Sequence, residues 1–422
     1  MLNLEDVAIP MQINSDVLKK IEFLVGSEDY LLSSDKTPCR KIFDDRVVSF
    51  LDKVAHVLLA DSKNRSYSDV IAWAFWIRKA SILNEKRRYV SKLDSKLGRG
   101  IAFHIAPSNV PVNFAVSLVS SLLAGNVSIV RVSSKDFVQV KIICEALTSV
   151  LRQDEFKELS PYIIIVRYER DHEISSLLSA ICDLRIVWGG NATVNEFRAF
   201  PLKPRAIEMT FPDRHSFVII DADAYLKEDP KKIAELFYID TFFTDQNACS
   251  SPRAVIWCGQ NFEKAKAVFW ESIQNLVDKK YRMEPILAVD KLNSFCDLVL
   301  SEESSDFVVK KEGADNRIIR VEMNSLNDDL MSYKMGGGYF FEYVIDNLEE
   351  IVPLCSKECQ TVSYLGVDPE NIKSLVLNHG LYGVDRIVPI GHTMDLEFYW
   401  DGYDMIDTMS RNVDVLRVSA KI

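Results

Sequence analysis

The chain of 422 residues has no excess of positive charge: Lys and Arg total 50 against 61 Asp and Glu, a formal net charge of -11. A general nucleic-acid surface needs a basic face, so that class is excluded, whereas a phosphate-bearing cofactor needs only a few backbone amides and one or two cations. No C-x-x-C pair occurs among the 8 cysteines, Cys39, Cys144, Cys182, Cys249, Cys258, Cys296, Cys355 and Cys359. A zinc ribbon and a disulfide framework are thereby excluded, and reduced thiols in a cytoplasmic setting are expected. The opening MLNLEDVAIPMQINSD carries early acids and lacks the positive-then-apolar pattern of a signal segment. A spanning helix is lacking too. The most apolar stretch, 112–130, contains Asn113, serines and the pair Gly125-Asn126, and reads as a helix followed by a buried strand. Repeats, low-complexity segments and the G-x-G-x-x-G fingerprint are also absent.

What is present is an α/β texture. A hydrophobic content of 48% can bury a sizeable core, and the length predicts two to three domains. Residues 1–97 read as a helical region packed on a cofactor domain, with amphipathic stretches at 46–59 and 68–83. Trp73, Phe75 and Trp76 are expected to pack, and Lys86-Arg87-Arg88 to face solvent. From residue 98 the β-branched runs IAFHIA, VSIVRV, YIIIVRY and LRIVW alternate with helix-length segments, which predicts a parallel sheet covered on both faces. Residues 98–221 are therefore expected to form a Rossmann-like cofactor domain. Residues 222–385 read as a second α/β domain, and 386–422 as a segment returning to the cofactor or oligomerisation region.

Four features carry chemistry. In TDQNACSSPR, Cys249 sits in a polar loop just before a strand, where backbone N–H groups can stabilise a thiolate or an oxyanion. In HIAPSNVPVN, Asn109 follows a strand, at the edge where α/β sheets bind ligands, and its amide can donate to an oxyanion. In VRVSSKD, the cation Arg131 with Ser133, Ser134 and Lys135 suits a 2′-phosphate, with Asp136 close by. In VWGGN, Gly189 and Gly190 would let a pyrophosphate or nicotinamide approach the backbone. His104, His215 and His392 are expected to serve packing or hydrogen bonding rather than proton transfer.

In this order the features resemble the aldehyde dehydrogenase superfamily and, within it, the LuxC-type acyl-CoA reductases. Ala106–Asn126 is similar to the superfamily's strand, Pro-x-Asn, helix and Ala-Gly-Asn. Arg131-Val132-Ser133-Ser134 and Trp188-Gly189-Gly190 resemble its cofactor segments, and Asn247-Ala248-Cys249 with Arg253 resembles its nucleophile loop. DQNACSSPR, HIAPSNVPVN and VDRIVPIGHTMDLEFYWDGYD resemble the reductase branch in particular, over roughly 98–411. The resemblance implies an aldehyde-dehydrogenase-like fold, with NADPH as cofactor and an acyl-CoA or acyl-protein thioester reduced to aldehyde. It implies Cys249 as nucleophile, Asn109 as oxyanion donor, Glu208 as catalytic acid/base and Glu358 as a ribose contact. A homo-oligomer and an acyl-protein synthetase partner are expected on the same basis. The superfamily's Glu-Leu-Gly-Gly segment is replaced by IEMTFPDRHSF, so oxidation of aldehyde to acid is the weaker alternative. A non-catalytic subunit that carries an acyl group or binds nucleotide is a third reading.

Overall fold

The computed structural model describes residues 15–300, 307–310, 316–326, 331–332 and 334–416, so the amino-terminal stretch through residue 14 lies outside them. The chain forms two compact units: Met1–Pro212 with Tyr403–Ile422, and Asp213–Gly402.

The first unit contains β1 (Glu22–Val25), β2 (Lys96–Gly98), β3 (Ile101–Ile105), β4 (Val127–Arg131), β5 (Ile163–Arg167), β6 (Leu184–Trp188) and β7 (Ile207–Phe211). Its main sheet runs β1-β5-β4-β3-β6-β7, parallel except for β1 against β5. The expected β-branched runs are these central strands, buried along nearly their whole length, with His104, Ser128 and Arg185 as polar exceptions. The helix Asn113–Leu123 is buried nearly all round, serines included. Ser117 Oγ meets His104 Nδ1 at 2.7 Å and accepts from Trp188 Nε1 at 3.0 Å, while Ser128 donates to Ser121 at 2.9 Å. Those paired hydroxyls explain why the apolar stretch is core. No described helix is long and apolar enough to cross a membrane.

Gly125 and Asn126 close this helix by necessity. Gly125 has φ +91°, and a Cβ there would lie 2.0 Å from Arg40 O. The Asn126 amide accepts from Arg99 N–H at 2.7 Å and donates to Met409 O at 2.9 Å. It thereby ties β2 and β3 to the carboxyl-terminal segment, whose strand Ser410–Asn412 pairs with β2. The stretch 68–83 is two helices, Ser68–Trp76 and Lys79–Lys86, because Arg78 is extended at ψ 144°. Trp73 is buried, whereas Phe75 is exposed beneath the Arg78 guanidinium at 4.6 Å.

The second unit begins earlier than residue 222. Its strands are β8 (His215–Asp221), β9 (Pro252–Cys258), β10 (Phe307–Lys310), β11 (Ile319–Met323), β12 (Tyr339–Val344), β13 (Cys359–Leu365) and β14 (Arg386–Pro389). They run β10-β11-β12-β9-β8-β13-β14, with only β10 antiparallel to its neighbour. The stretch 215–221, grouped with the first domain by sequence, is thus a central strand of the second sheet. The return to the first unit likewise starts at Tyr403, not at 386. Phe217 and Ile219 of β8 join Ala254 and Ile256 of β9 in one core cluster. Val218, Ile220, Val255 and Trp257 join another, as the two-residue side-chain period requires.

Candidate active site

The loop before β9 is built around a buried amide. Helix Pro230–Asp240 and the short turn Phe242–Thr244 lead into Asp245 and Gln246, both left-handed at φ 51° and 58°. Gln246 is fully buried. Its Nε2 donates to Pro252 O at 2.8 Å and Tyr339 O at 3.1 Å, and its Oε1 accepts from the Gly338 and Tyr339 N–H groups at 3.0 and 3.1 Å. Asp245 O accepts from Gly337 N–H at 2.8 Å. The glycine run before β12 is needed for this approach, since a Cβ on Gly336 would meet Asp245 O at 2.6 Å. Lys291, from helix Pro285–Leu300, donates to Gly337 O at 2.6 Å.

Cys249 comes three residues later, half-buried, with its carbonyl accepting from Ser216 Oγ at 2.7 Å. Burial pushes its thiol up, and the Arg214 backbone N–H facing it opposes that rise. Asp401 and Asp213 also push the thiol up, while Arg253 pulls it down. Arg253 is buried, donates to Met335 O at 2.6 Å, and is brought down to about 10 by that burial. Because β8, β9, β13 and β14 are parallel, the residues preceding each strand meet at one edge of the sheet. Arg214 donates to Asp385 and to Cys359 O there, and its Nη1 stands 3.7 Å from Asp401 Oδ1. Asp401 also accepts from Gln360. Exposure alone does not single out Cys249, because Cys296 is the more exposed cysteine. Partial exposure combined with the Arg253 cation and the Arg214 backbone N–H sets it apart, since the buried Cys182 also has cations and a backbone N–H in its field.

Glu358 lies at this same edge, exposed, just before β13. Its carbonyl accepts from His215 N–H at 2.8 Å, and the Ser356 hydroxyl, donating at 2.9 Å, lowers its carboxyl pKa. His215 is buried and brought down to about 4, and His104 is fully buried and brought down to about 3, both by desolvation. Neither is charged near neutrality.

In the first unit, Asn109 lies on the exposed loop after β3. Arg131 ends β4 with its guanidinium 4.6 Å from the Tyr168 ring centroid and its Nε without a hydrogen-bond partner. Ser133 accepts from Lys135 N–H at 3.1 Å, and Ser134 is exposed. Asp136 is drawn toward Arg167 at 3.8 Å. Gly190 caps helix Asn191–Arg198 at φ -59°, an angle open to any residue. Gly189 lies close to Thr193, where an added Cβ would stand 3.0 Å from the threonine side chain, a tight contact. The carboxyl edge of β3, β4 and β6 thus gathers a stacked cation, hydroxyls and a helix start, a set that fits a phosphate-bearing dinucleotide.

Glu208 requires a correction. It stands near the amino-terminal end of β7, paired with Arg185 of β6, away from the carboxyl edge. One oxygen accepts from Arg185 Nε at 2.8 Å and also from its Nη2, and the other accepts from Arg198 Nε at 3.1 Å. Arg185 is almost fully buried, so this carboxylate is engaged in neutralising a buried cation.

Aldehyde dehydrogenase structures share this fold. Aldehyde dehydrogenase 21 from Physcomitrella patens matches with a TM-score of 0.66 at 13% identity, over 93% of this chain and 90% of that one. A benzaldehyde dehydrogenase from Corynebacterium glutamicum matches with a TM-score of 0.61 at 13% identity, over 93% and 94%. By sequence, the long-chain acyl-protein thioester reductase of Aliivibrio fischeri is 24% identical over 274 residues, 63% of this chain and 53% of the relative. The reductase of the same name from Photorhabdus luminescens is 24% identical over 310 residues, 69% and 58%. The chain therefore spans little more than half the length of these curated relatives. The family model described as acyl-CoA reductase (LuxC) matches residues 46–295, more than half of the chain, and on that match the chain belongs to the LuxC acyl-CoA reductase family.

Proposed function

We propose that the protein reduces a long-chain acyl thioester, carried by CoA or by a protein, to the aldehyde through a thioester on Cys249. The observation carrying this reading is the Cys249 loop, held by Gln246, with the Arg253 cation in its field and the Arg214 N–H aimed at it. The Cys249 thiolate attacks the acyl carbonyl, and the tetrahedral intermediate collapses with cleavage of the donor C–S bond, the donor thiolate leaving to take up a proton. The Cys249 N–H donates to the oxyanion. A reduced nicotinamide cofactor, when bound, supplies the hydride that turns the Cys249 thioester into aldehyde. Arg253 and the Arg214 N–H then stabilise the Cys249 thiolate as it leaves.

Arg131, Ser133 and Ser134 favour NADPH by offering a cation and hydroxyls to its 2′-phosphate, and Gly189 and Gly190 lie along the cofactor backbone. Glu358 serves as a ribose contact for the cofactor. The relatives' name supports an acyl-protein donor, and with it an acyl-protein synthetase partner; a homo-oligomer belongs to the same proposal. Oxidation of aldehyde to acid needs a base to activate water, and Glu208 is committed to Arg185 and Arg198.

The test is covalent labelling with radiolabelled long-chain acyl-CoA, quenched before and after NADPH addition. Wild-type protein should hold label at Cys249 and release it as aldehyde when NADPH is added. Cys249→Ala should hold none. Label retained by Cys249→Ala, or released as free acid without cofactor, rejects the reading.

A further inference from the structure

The sheet edge around Cys249 carries a costly arrangement that thioester chemistry alone does not require. Asp401 is a left-handed residue at φ 49°, followed by Gly402 at φ 74°, and its side chain is only 5% exposed. A buried carboxylate held in a left-handed turn persists only where its surroundings fix it. Here Gln360 Nε2 donates to it and Arg214 Nη1 stands 3.7 Å away. Arg214 is shared with Asp385, whose carboxylate accepts from the same Nη1. Two carboxylates thus compete for one buried guanidinium, and Cys249 is tied to the same edge: its carbonyl accepts from Ser216 Oγ at 2.7 Å, which accepts from Thr361 N–H at 3.1 Å, next to the Gln360 that holds Asp401.

We infer that Asp401 is a positioning residue that holds Cys249 in its thiol form between turnovers, through its own charge and through the Arg214 that it shares with Asp385. The inference rests on the proposed role of Cys249. Two negative charges in a water-poor edge repel, so ionisation of the thiol is resisted while Asp401 is charged. Burial raises Asp401 to about 6, with Arg214 and Gln360 opposing and Asp385 reinforcing that rise, and Arg386 also opposing it. The other groups in the field of Cys249 are Arg253, which favours the thiolate, and Asp213, which disfavours it. His215, beside Arg214 on β8, has Lys334 and Glu358 in its own field and is held neutral by burial. Asp401 therefore changes its charge near pH 6. The consequence is a guarded nucleophile: neutralising Asp401 makes Cys249 easier to ionise.

The experiment is the pH dependence of iodoacetamide alkylation, read at the Cys249 peptide by mass spectrometry so that Cys296 and the other thiols are scored separately. Wild-type protein should give a Cys249 midpoint above the ordinary thiol value of about 8.5. Asp401→Asn should move that midpoint down by roughly one pH unit, raising alkylation near neutral pH about tenfold. Asp401→Glu should restore the wild-type midpoint, a rescue that general loosening of the edge would not give. An unchanged or raised midpoint in folded Asp401→Asn overturns the inference. A wild-type midpoint below the ordinary value overturns it without any variant, even if Asp401→Asn does not fold. Alkylation reads the thiol whether or not it is the nucleophile. Acyl label persisting in Cys249→Ala would thus reject the proposed function while the midpoint shift is still measured.

Discussion

Arg131 carries its charge on an aromatic platform at the end of a central strand. A cation held this way is ready for an anionic group, and a charge-assisted bond to phosphate is worth ~1.5–3 kcal/mol. Arg131→Ala should therefore weaken NADPH binding by roughly ten- to a hundredfold while changing NADH much less, as read by fluorescence titration with both cofactors. Equal losses would show that Arg131 does not read the 2′-phosphate. At this scale the sequence displays residue types and their local company, which is why the Gly125-Asn126 closure was legible. It does not display partners distant along the chain. Glu208 read as a catalytic acid because of the segment it occupies, and only the pairing of β6 with β7 reveals Arg185 beside it. Asp401 was missed for the same reason, although Asp-Gly in YWDGYD does signal a turn.

At the scale of elements, the nucleophile loop and the glycine run are one construction. Gln246 makes four hydrogen bonds, all that a primary amide commonly makes, and every partner is a backbone group. Gln246→Leu would strand donors and acceptors in a buried place, each costing about 1–3 kcal/mol. Denaturant unfolding should show a loss of about 4 kcal/mol or more, and the Cys249 acylation rate should fall with it because the loop is no longer fixed. Unchanged acylation would mean that the glycine contacts and Lys291 suffice to hold the loop. Most helices and strands were legible, since periodicity and β-branched runs are local signals; the run IAFHIA, for one, holds β3. The unit boundary was not. β8 resembles β6 in composition, and parallel buried strands say nothing about which sheet receives them. The split of 68–83 at Arg78 was equally hidden, because its apolar spacing continues across the break.

For the whole molecule, acid response is the measurable consequence of the second unit's buried carboxylates. Glu342 is buried but well supplied, accepting from Trp257, Trp270 and Arg320. Asp240 is different. It is fully buried at the end of its helix and accepts from Gly391 N–H, Thr393 N–H and Thr393 Oγ1, none of them charged. Burial raises it from 3.8 to about 6 despite those bonds and the nearby His392. Because the folded pKa lies above the unfolded one, the folded state binds the proton more tightly between these values. Stability from this group is therefore highest below about pH 4, declines as pH rises to about 6, and then stays lower by roughly 3 kcal/mol. Asp240→Asn removes that titration but loses an acceptor for one of the backbone N–H groups, so the variant is less stable at every pH. The gap between wild type and Asp240→Asn should be widest near pH 4 and narrow by up to about 3 kcal/mol by pH 7, measured by urea unfolding across that range. A constant gap would mean that Asp240 titrates as it does in the unfolded chain, and that its backbone N–H partners fully offset its burial.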